Sequence, residues 1–363
     1  MYRVRRNGAS HTNSHRLIAL TFVVVVVATV VLSSAPRRPS RGGVAVATTC
    51  ASSSRQLTDW LEYHRAIGVT RFYIFEEGTT AGRWSPDVYV FSRKTANENQ
   101  KNSPSRFAKW LAPYYASGNS TCGANALFVR QTLNLELAIA RAKKDGIEWL
   151  LHVDVDELVY PAGSSTFDLR DVLARQSPHI DRVVFPNYEA VPERPSYELS
   201  EPNLFKGVTL FKRNHLHVDT AAYARFAPMA RRDNPNFFLA YANGKSACRV
   251  SSPGLRPNGA HRFKTKGGGK EVTISESAVL HYPFVSAARA RERAHRCDCA
   301  DVKECSMLAF DLVLADKVRR EAADFESWFD ERVVESNSTR REALLKAGVY
   351  ARIHAPTLLI GRS

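Results

Sequence analysis

Nothing in the 363-residue sequence repeats. No unit recurs at a solenoid period and no long low-complexity tract interrupts it, which excludes repeat arrays and extended disordered chains. Acidic charge is scarce. The chain has 36 aspartates and glutamates against 51 lysines and arginines, a formal charge of +15, and this imbalance points to an anionic partner such as a nucleotide, a nucleic acid or a membrane surface. Nucleic-acid motifs are missing: there is no RNP-type aromatic stretch, zinc finger or recognition-helix pattern. The run KTKGGGK, Lys264 to Lys270, lacks the G-x-x-x-x-G-K-[ST] spacing of a P-loop, so it reads as a surface hairpin or as a flexible basic loop over a diphosphate. The cluster CDCADVKEC, with His295 nearby, fits no standard zinc spacing. The remaining composition, 44% hydrophobic and 24% charged, is that of one large α/β domain or two modest ones.

Long apolar runs are rare, and the longest stands near the N-terminus. Leu17 to Leu32, LIALTFVVVVVATVVL, is marginal against the roughly 20 residues a helix needs to cross the hydrocarbon core, and Ser33 to Ala35 extend it. Arg3, Arg5, Arg6 and Arg16 precede it, so the positive-inside rule leaves residues 1–16 in the cytosol and sends the rest across the membrane. The competing reading is a cleaved signal peptide with SSA near the cut. With an anchor over 17–35 and a Pro/Arg/Ser/Gly-rich stem over 36–43, the expected address is a single-pass type II protein of the Golgi or ER membrane. Asn119-Ser120-Thr121 and Asn337-Ser338-Thr339 are glycosylation acceptors, and six cysteines favour disulfides in an oxidising lumen.

From Val44 the pattern is α/β. VAVAT reads as a strand, and TDWLEYHRAIGV as a helix with Trp60, Leu61, His64 and Ile67 on one face and Thr58 or Asp59 as cap. RFYIF follows as a second strand, so the three make a βαβ unit and a parallel sheet. VYVF is a third strand, and the polar stretch from Ser92 to Asn125 resists assignment. Phe128, Thr132, Leu135, Ile139 and Ala142 step at helical spacing until Gly146, and WLLHV begins the next strand. RVVFP, LFKGVTLF and TISESAVLHYP look like further strands. The expected organisation is a catalytic α/β domain over 44–285 and a charged helical C-terminal extension over 286–363, helical to about Arg352.

The chemistry-bearing stretch is WLLHVDVDELVYP, Trp149 to Pro161. If the strand continues through it, Asp154 and Asp156 share one side, which opens into the crevice at the carboxyl end of a parallel sheet. Two carboxylates at the rim of a core repel each other unless a cation neutralises them. A hard divalent ion does this with positions left for a diphosphate, which is the chemistry of sugar-nucleotide transfer. The bland alternative is a solvated turn with capping aspartates. Lys245, in ANGKSACRV, is a further candidate for contacting the diphosphate.

On these residues the chain resembles the family 92 glycosyltransferases and their relatives in the GT-A superfamily. DWLEYHRAIGVTRFYIF resembles that family's E-W-x-x-Y-H-x-x-x-G-V-x-x-F-Y-I-Y segment. RQTLNLELAIARAKKDGIEWLLHVDVDELVYP resembles its Q-x-x-x-x-N helix and W-L-x-x-x-D-x-D-E-F run, and AVLHYPF its late L-H-Y stretch. The resemblance implies a GT-A (Rossmann-like) fold, a mostly parallel sheet flanked by helices. It implies a metal-dependent transferase moving a hexose, galactose favoured, from a UDP-sugar to a glycan, glycoprotein or glycolipid acceptor, with inversion. Manganese, or magnesium, would be held by Asp154 and Asp156, with His261 in GAHRF or His281 in LHYP completing the set. Asp156 and Glu157 are the expected catalytic pair, although Glu157 reads equally as a cap; Asp154, Asp156, Glu76 and Lys245 are the expected donor contacts.

The sequence departs from the family in two places. The Asp-Asn-x-Ser-x-Asp turn is replaced by Glu76-Glu77-Gly78-Thr79-Thr80, which puts donor identity in doubt. The Asn-Glu after the first strand is replaced by a run ending in Arg55, which reads as exposed or as a phosphate contact. Inversion needs a carboxylate at the acceptor hydroxyl, and Asp219, Asp233 and Glu276 lie in the acceptor half. Rival readings are a haloacid dehalogenase-type phosphatase, which wants Thr or Val where Leu158 stands, a basic nucleic-acid-binding module, and an inactive family member.

Overall fold

Alternation in the strands of the large sheet sends side chains into two hydrophobic cores, one on each face. In β1 (Val44–Cys50), Val44 and Val46 enter one core while Ala45 and Ala47 enter the other. Helix α1 (Arg55–Ala66) follows, then β2 (Arg71–Glu76), where Phe72 and Ile74 oppose Tyr73 and Phe75 in the same manner. The computed structural model describes residues 42–50, 55–77, 84–116, 124–195, 204–229, 237–295, 308–320 and 323–361. The tail, the anchor, most of the stem, the Asn119 acceptor, Cys122, Cys297, Cys299, Cys305 and Asp233 lie outside them. Among the described residues no helix is long and apolar enough to cross a membrane.

After β3 (Val88–Phe91) come α2 (Arg93–Asn102), α3 (Arg106–Ala116) and α4 (Ala124–Lys144). Then follow β4 (Trp149–His152), β5 (Glu157–Tyr160), α5 (Leu169–Ala174), β6 (Arg182–Phe185), β7 (Asn187–Val191), β8 (Leu210–Lys212) and α6 (Thr220–Phe226). The chain continues through β9 (Lys245–Arg249), β10 (Arg256–Pro257), β11 (Phe263–Lys264), β12 (Glu271–Thr273) and β13 (Ala278–His281). It ends with α7 (Ala287–His295), α8 (Ala309–Arg320), α9 (Phe325–Val333), α10 (Ser338–Lys346), β14 (Tyr350–Arg352) and α11 (Ala355–Leu359).

The seven-stranded sheet has the order β12-β6-β9-β4-β1-β2-β3. Six strands share one direction and β9 runs against them, so the sheet is mixed and the fold is mixed α/β. A second sheet, β14-β8-β7-β13-β5, is also mixed. The chain passes between the sheets at 153–156, joining β4 to β5, and again at Pro186, joining β6 to β7.

Several expectations need correction. Helix α1 begins at Arg55, so Thr58 and Asp59 lie inside it rather than at its N-terminus; its apolar face is as read, with Trp60, Leu61, His64 and Ile67 buried. Gly68 follows at φ +91°, where a Cβ would collide with the Asp168 carboxylate. The strand read in LFKGVTLF narrows to Leu210–Lys212. The run read as helical to about Arg352 closes not in helix but in β14, which pairs antiparallel with β8 and is followed by the short α11, while Ile353 and Ile360 enter the main core. Cys248 is a buried thiol donating to the Leu150 carbonyl at 3.4 Å, and burial pushes it well above the ordinary thiol range.

Candidate active site

Strand β4 ends at His152, and the Glu157 N–H donates to the Asp154 carbonyl at 3.0 Å. Asp154 to Glu157 is therefore a β-turn, and the strand alternation expected to align the two aspartates does not reach them. The turn is pinned through its backbone. The buried Trp60 indole donates to the Asp154 carbonyl at 3.1 Å and the Glu157 carbonyl at 2.9 Å. The Gln56 amide donates to the Val155 carbonyl at 2.7 Å, and the Tyr282 N–H to the Asp156 carbonyl at 2.9 Å. Every carbonyl from Asp154 to Glu157 thus has a donor, as buried backbone demands.

The three carboxylates have different surroundings. Asp154 accepts from Lys245 Nζ at 2.5 Å and from Gln131 Nε2 of α4 at 2.6 Å. Lys245 starts β9 with no solvent exposure, and its ammonium also lies 3.3 Å from Glu157 Oε2. Glu157, fully buried, accepts the Asp154 N–H at 2.8 Å and the Tyr241 hydroxyl. Burial alone would raise Asp154, but Lys245 and His152 outweigh it and hold its carboxyl well below the usual carboxylate range. Burial likewise opposes charge on Lys245, yet Asp154 and Glu157 raise it overall. Glu157 moves upward, through burial and the two neighbouring aspartates, against the pull of Lys245. Lys245 is thus the cation that neutralises this part of the cluster, a role different from the diphosphate contact expected of it.

Asp156 differs from both. Its side chain is 23% exposed, no hydrogen bond engages its carboxylate among the described residues, and Oδ2 lies 3.8 Å from His281 Nε2. His281, on β13, faces Glu157 in register and stacks on Tyr241 at 4.8 Å. Its Nδ1 is buried without a hydrogen-bond partner, and burial lowers its pKa, which favours a neutral ring. His261 packs edge-on against Tyr241 at 4.4 Å with Nδ1 3.1 Å from Asn243 Oδ1, and burial together with Lys245 takes its pKa far down.

The donor set decides how a divalent ion fits. Asp154 already serves Lys245 and Gln131, and among the described residues no three His, Cys, Asp or Glu side chains converge on one ion. Asp156 and His281 remain, a hard oxygen beside a neutral imidazole. This fits an ion held by one or two protein groups and completed by a diphosphate and water, the usual arrangement for magnesium-like cations at phosphate sites.

The structure thus brings Asp154, Asp156, Glu157, Lys245, His261 and His281 together. Glu76 ends β2 on the same sheet edge, with Oε1 buried and unpartnered and its carboxyl raised by burial. The other expected residues stand elsewhere. Asp219 caps α6, accepting from the Ala221 and Ala222 amides. Glu276 is exposed on the bend that precedes β13, beside Gly163. Arg55 is exposed at the start of α1.

Two contributors had no motif to announce them, Tyr241 and His152; Trp60 as the pin and Gln131 stood in the resembling stretches without a role read for them. His152 Nδ1 lies 2.8 Å from the Ala260 carbonyl, so Nδ1 carries the proton; burial and Lys245 hold its pKa near 4, and Nε2 stands 3.8 Å from Asp154 without a hydrogen bond. Glu189 also went unread: it accepts from Lys212 and from the Leu239 and Ala240 amides, bracing the loop that carries Tyr241.

No family model matches the chain. Two Arabidopsis thaliana proteins, both named glycosyltransferase-like, are similar to it. One is 36% identical over 336 residues, covering 87% of this chain and 63% of its own length. The other is 37% identical over 338 residues, covering 87% of this chain and 71% of its own length. A mycobacterial protein of known crystal structure aligns over 73% of this chain and 78% of its own, but at 11% identity and a TM-score of 0.27 it carries no argument. Such relatives favour neither the phosphatase nor the nucleic-acid reading. At this similarity the chain belongs to the glycosyltransferase-like family of these two proteins.

Proposed function

We propose that the chain is a GT-A glycosyltransferase related to family 92, moving a hexose, galactose favoured, from a UDP-sugar to a glycan or glycoconjugate with inversion. One observation carries this reading: Asp156 stands partly exposed with its carboxylate unengaged among the described residues, 3.8 Å from the buried His281 ring, on a turn otherwise fixed at every carbonyl. Manganese or magnesium would be held by Asp156 and His281, and when bound it supplies positive charge to the leaving diphosphate. The protein's own residues hold the geometry. Trp60 and Gln56 fix the turn, and Lys245 keeps Asp154 and Glu157 neutralised. Glu76, with a bare carboxylate oxygen at the end of β2, is placed to accept from the nucleoside. With Asp219 committed to a helix cap, Asp233 and Glu276 are the base candidates that remain. A panel of UDP- and GDP-sugars with manganese tests the reading. Nucleotide release from a UDP-hexose is the expected result; a folded protein that turns over none of them contradicts it.

We place the described domain in the lumen of the Golgi or ER, behind the apolar segment at 17–35. Asn337 is exposed and caps α10 through Oδ1, accepting the Arg340 N–H at 2.9 Å, which leaves its Nδ2 available to an oligosaccharyltransferase. Thr339→Ala removes the acceptor triplet without touching that cap. The variant from a secretory host is expected to run one glycan lighter than wild type. Wild-type protein bare at both Asn119 and Asn337 contradicts the lumenal address.

A further inference from the structure

Away from the acidic turn, a cavity of about 590 Å³ is lined by five cations, Arg182, Arg256, Arg262, Lys264 and Lys266, and one carboxylate, Glu271. Arg182 donates to Glu271 at 3.0 Å. Among the described residues no carboxylate lies within ion-pair distance of the other four, although Glu271 acts on Arg262 at longer range: Arg262 donates to the carbonyls of Asn243, Gly244 and His261, and Arg256 to that of Gly254. Five cations against one carboxylate leave four formal positive charges uncompensated around one recess. Such a cluster repels itself, and an anion relieves it.

The recess is built rather than incidental. Arg182 is only 7% exposed and is held by a second bond, from Nη1 to Thr265 Oγ1 at 3.0 Å. The adjoining loop places Gly267, Gly268 and Gly269 at φ of +72°, +88° and +60°. Three left-handed residues in a row cost other residue types about 1–2 kcal/mol each, so the loop's shape depends on glycine. A Cβ on Gly269 would strike Thr265, whereas Gly267 and Gly268 face open space. Asp181 stands nearby, bonded to the Ser252 hydroxyl and the Lys270 amide, and its charge acts on Arg182, which Glu271 already pairs.

The cavity also shares a loop with the acidic turn. The Ala260 carbonyl faces His152, the His261 carbonyl accepts from Ser246, and two of the carbonyls that hold Arg262 immediately precede Lys245. Along the β6–β9 ladder, Phe185 faces Lys245 and Arg182 faces Cys248, a step of about 10 Å over three residues. A diphosphate at the turn would not span that step, whereas a glycan chain with its acceptor hydroxyl at the turn is long enough to do so.

We propose that this cavity is the subsite for an oxyanion carried by the acceptor: a phosphate, sulfate or uronate group on the glycan that receives the sugar. Planar arginines suit any of these groups through paired N–H donors. The proposal rests on the transferase reading above. The test is calorimetric titration of the full chain with a galacturonate oligomer, a galactose phosphate, a sulfated galacto-oligosaccharide and a neutral oligosaccharide. Each is repeated with the variant R256E/K264E/K266E, which changes only exposed side chains outside the acidic turn. At least one charged probe is expected to bind wild type with salt-dependent affinity and the variant at least tenfold more weakly, the neutral probe binding neither. The best charged probe identifies the oxyanion. In transfer assays the variant's acceptor KM should rise about tenfold with kcat and the donor KM unchanged. Equal affinity in variant and wild type, or no charged probe bound by wild type, overturns the proposal. Charged-probe binding without turnover of any UDP-sugar overturns the acceptor role through failure of the transferase reading, and leaves the anion site standing.

Discussion

Replacing Lys245 with Met is expected to lower the free energy of unfolding by about 3 kcal/mol or more. Removing one partner of a buried ion pair leaves an uncompensated charge, and such deletions cost about 3–5 kcal/mol. Here Asp154 loses its cation outright, while Glu157, whose carboxyl burial already pushes upward, can answer by holding a proton. Glu157 is fully buried, and Asp154, at 21% side-chain exposure, keeps some access to solvent, which argues for the lower end of that range. The methionine fills much of the lysine's volume, so the loss is electrostatic rather than a cavity effect. Urea unfolding of the two proteins measures it. A second substitution, Asp154→Asn, should recover part of the loss in the Met variant. A change below about 1 kcal/mol would mean that Lys245 does not hold the turn together.

Asp156→Ala should behave in the opposite way, folding normally and failing in the reaction. Its carboxylate makes no hydrogen bond among the described residues, so unfolding should shift by no more than about 0.5 kcal/mol, as at ordinary surface positions. Transfer or hydrolysis of a UDP-sugar should fall at least about a hundredfold, because removing a ligand of a catalytic ion weakens both its binding and its charge stabilisation. Steady-state rates with manganese, alongside the unfolding curves, separate the two roles. Equal rates in both proteins would remove Asp156 from the chemistry.

Much of this frame was legible. β1, β2, β3 and β4 carry apolar runs bounded by glycine or polar residues, and α4 carries leucine, isoleucine and alanine at helical spacing. The acidic cluster announced itself by following a buried strand. What stayed hidden has physical causes. α2 buries Ala96 and Gln100, and Gln100 bonds to Asn134 at 2.9 Å, so its inward face is polar and leaves no hydrophobic period to read. β14 is three residues long and acquires its identity from β8, more than a hundred positions earlier. The pairing of Lys245 with Asp154 spans 91 residues, and no local pattern distinguishes a lysine bound for a carboxylate from one bound for a phosphate. The turn itself was misread as strand because alternation continues in the letters, D-V-D, after the hydrogen-bonded ladder has stopped at His152.

Calorimetric titration of UDP into wild type and Asp156→Ala, each with and without manganese, tests most directly whether that turn is a nucleotide-diphosphate site. Wild type should bind UDP at least tenfold more tightly with manganese than without, and the variant should show no manganese effect. Wild type that ignores UDP under both conditions, or a variant that keeps the full manganese effect, would contradict the account.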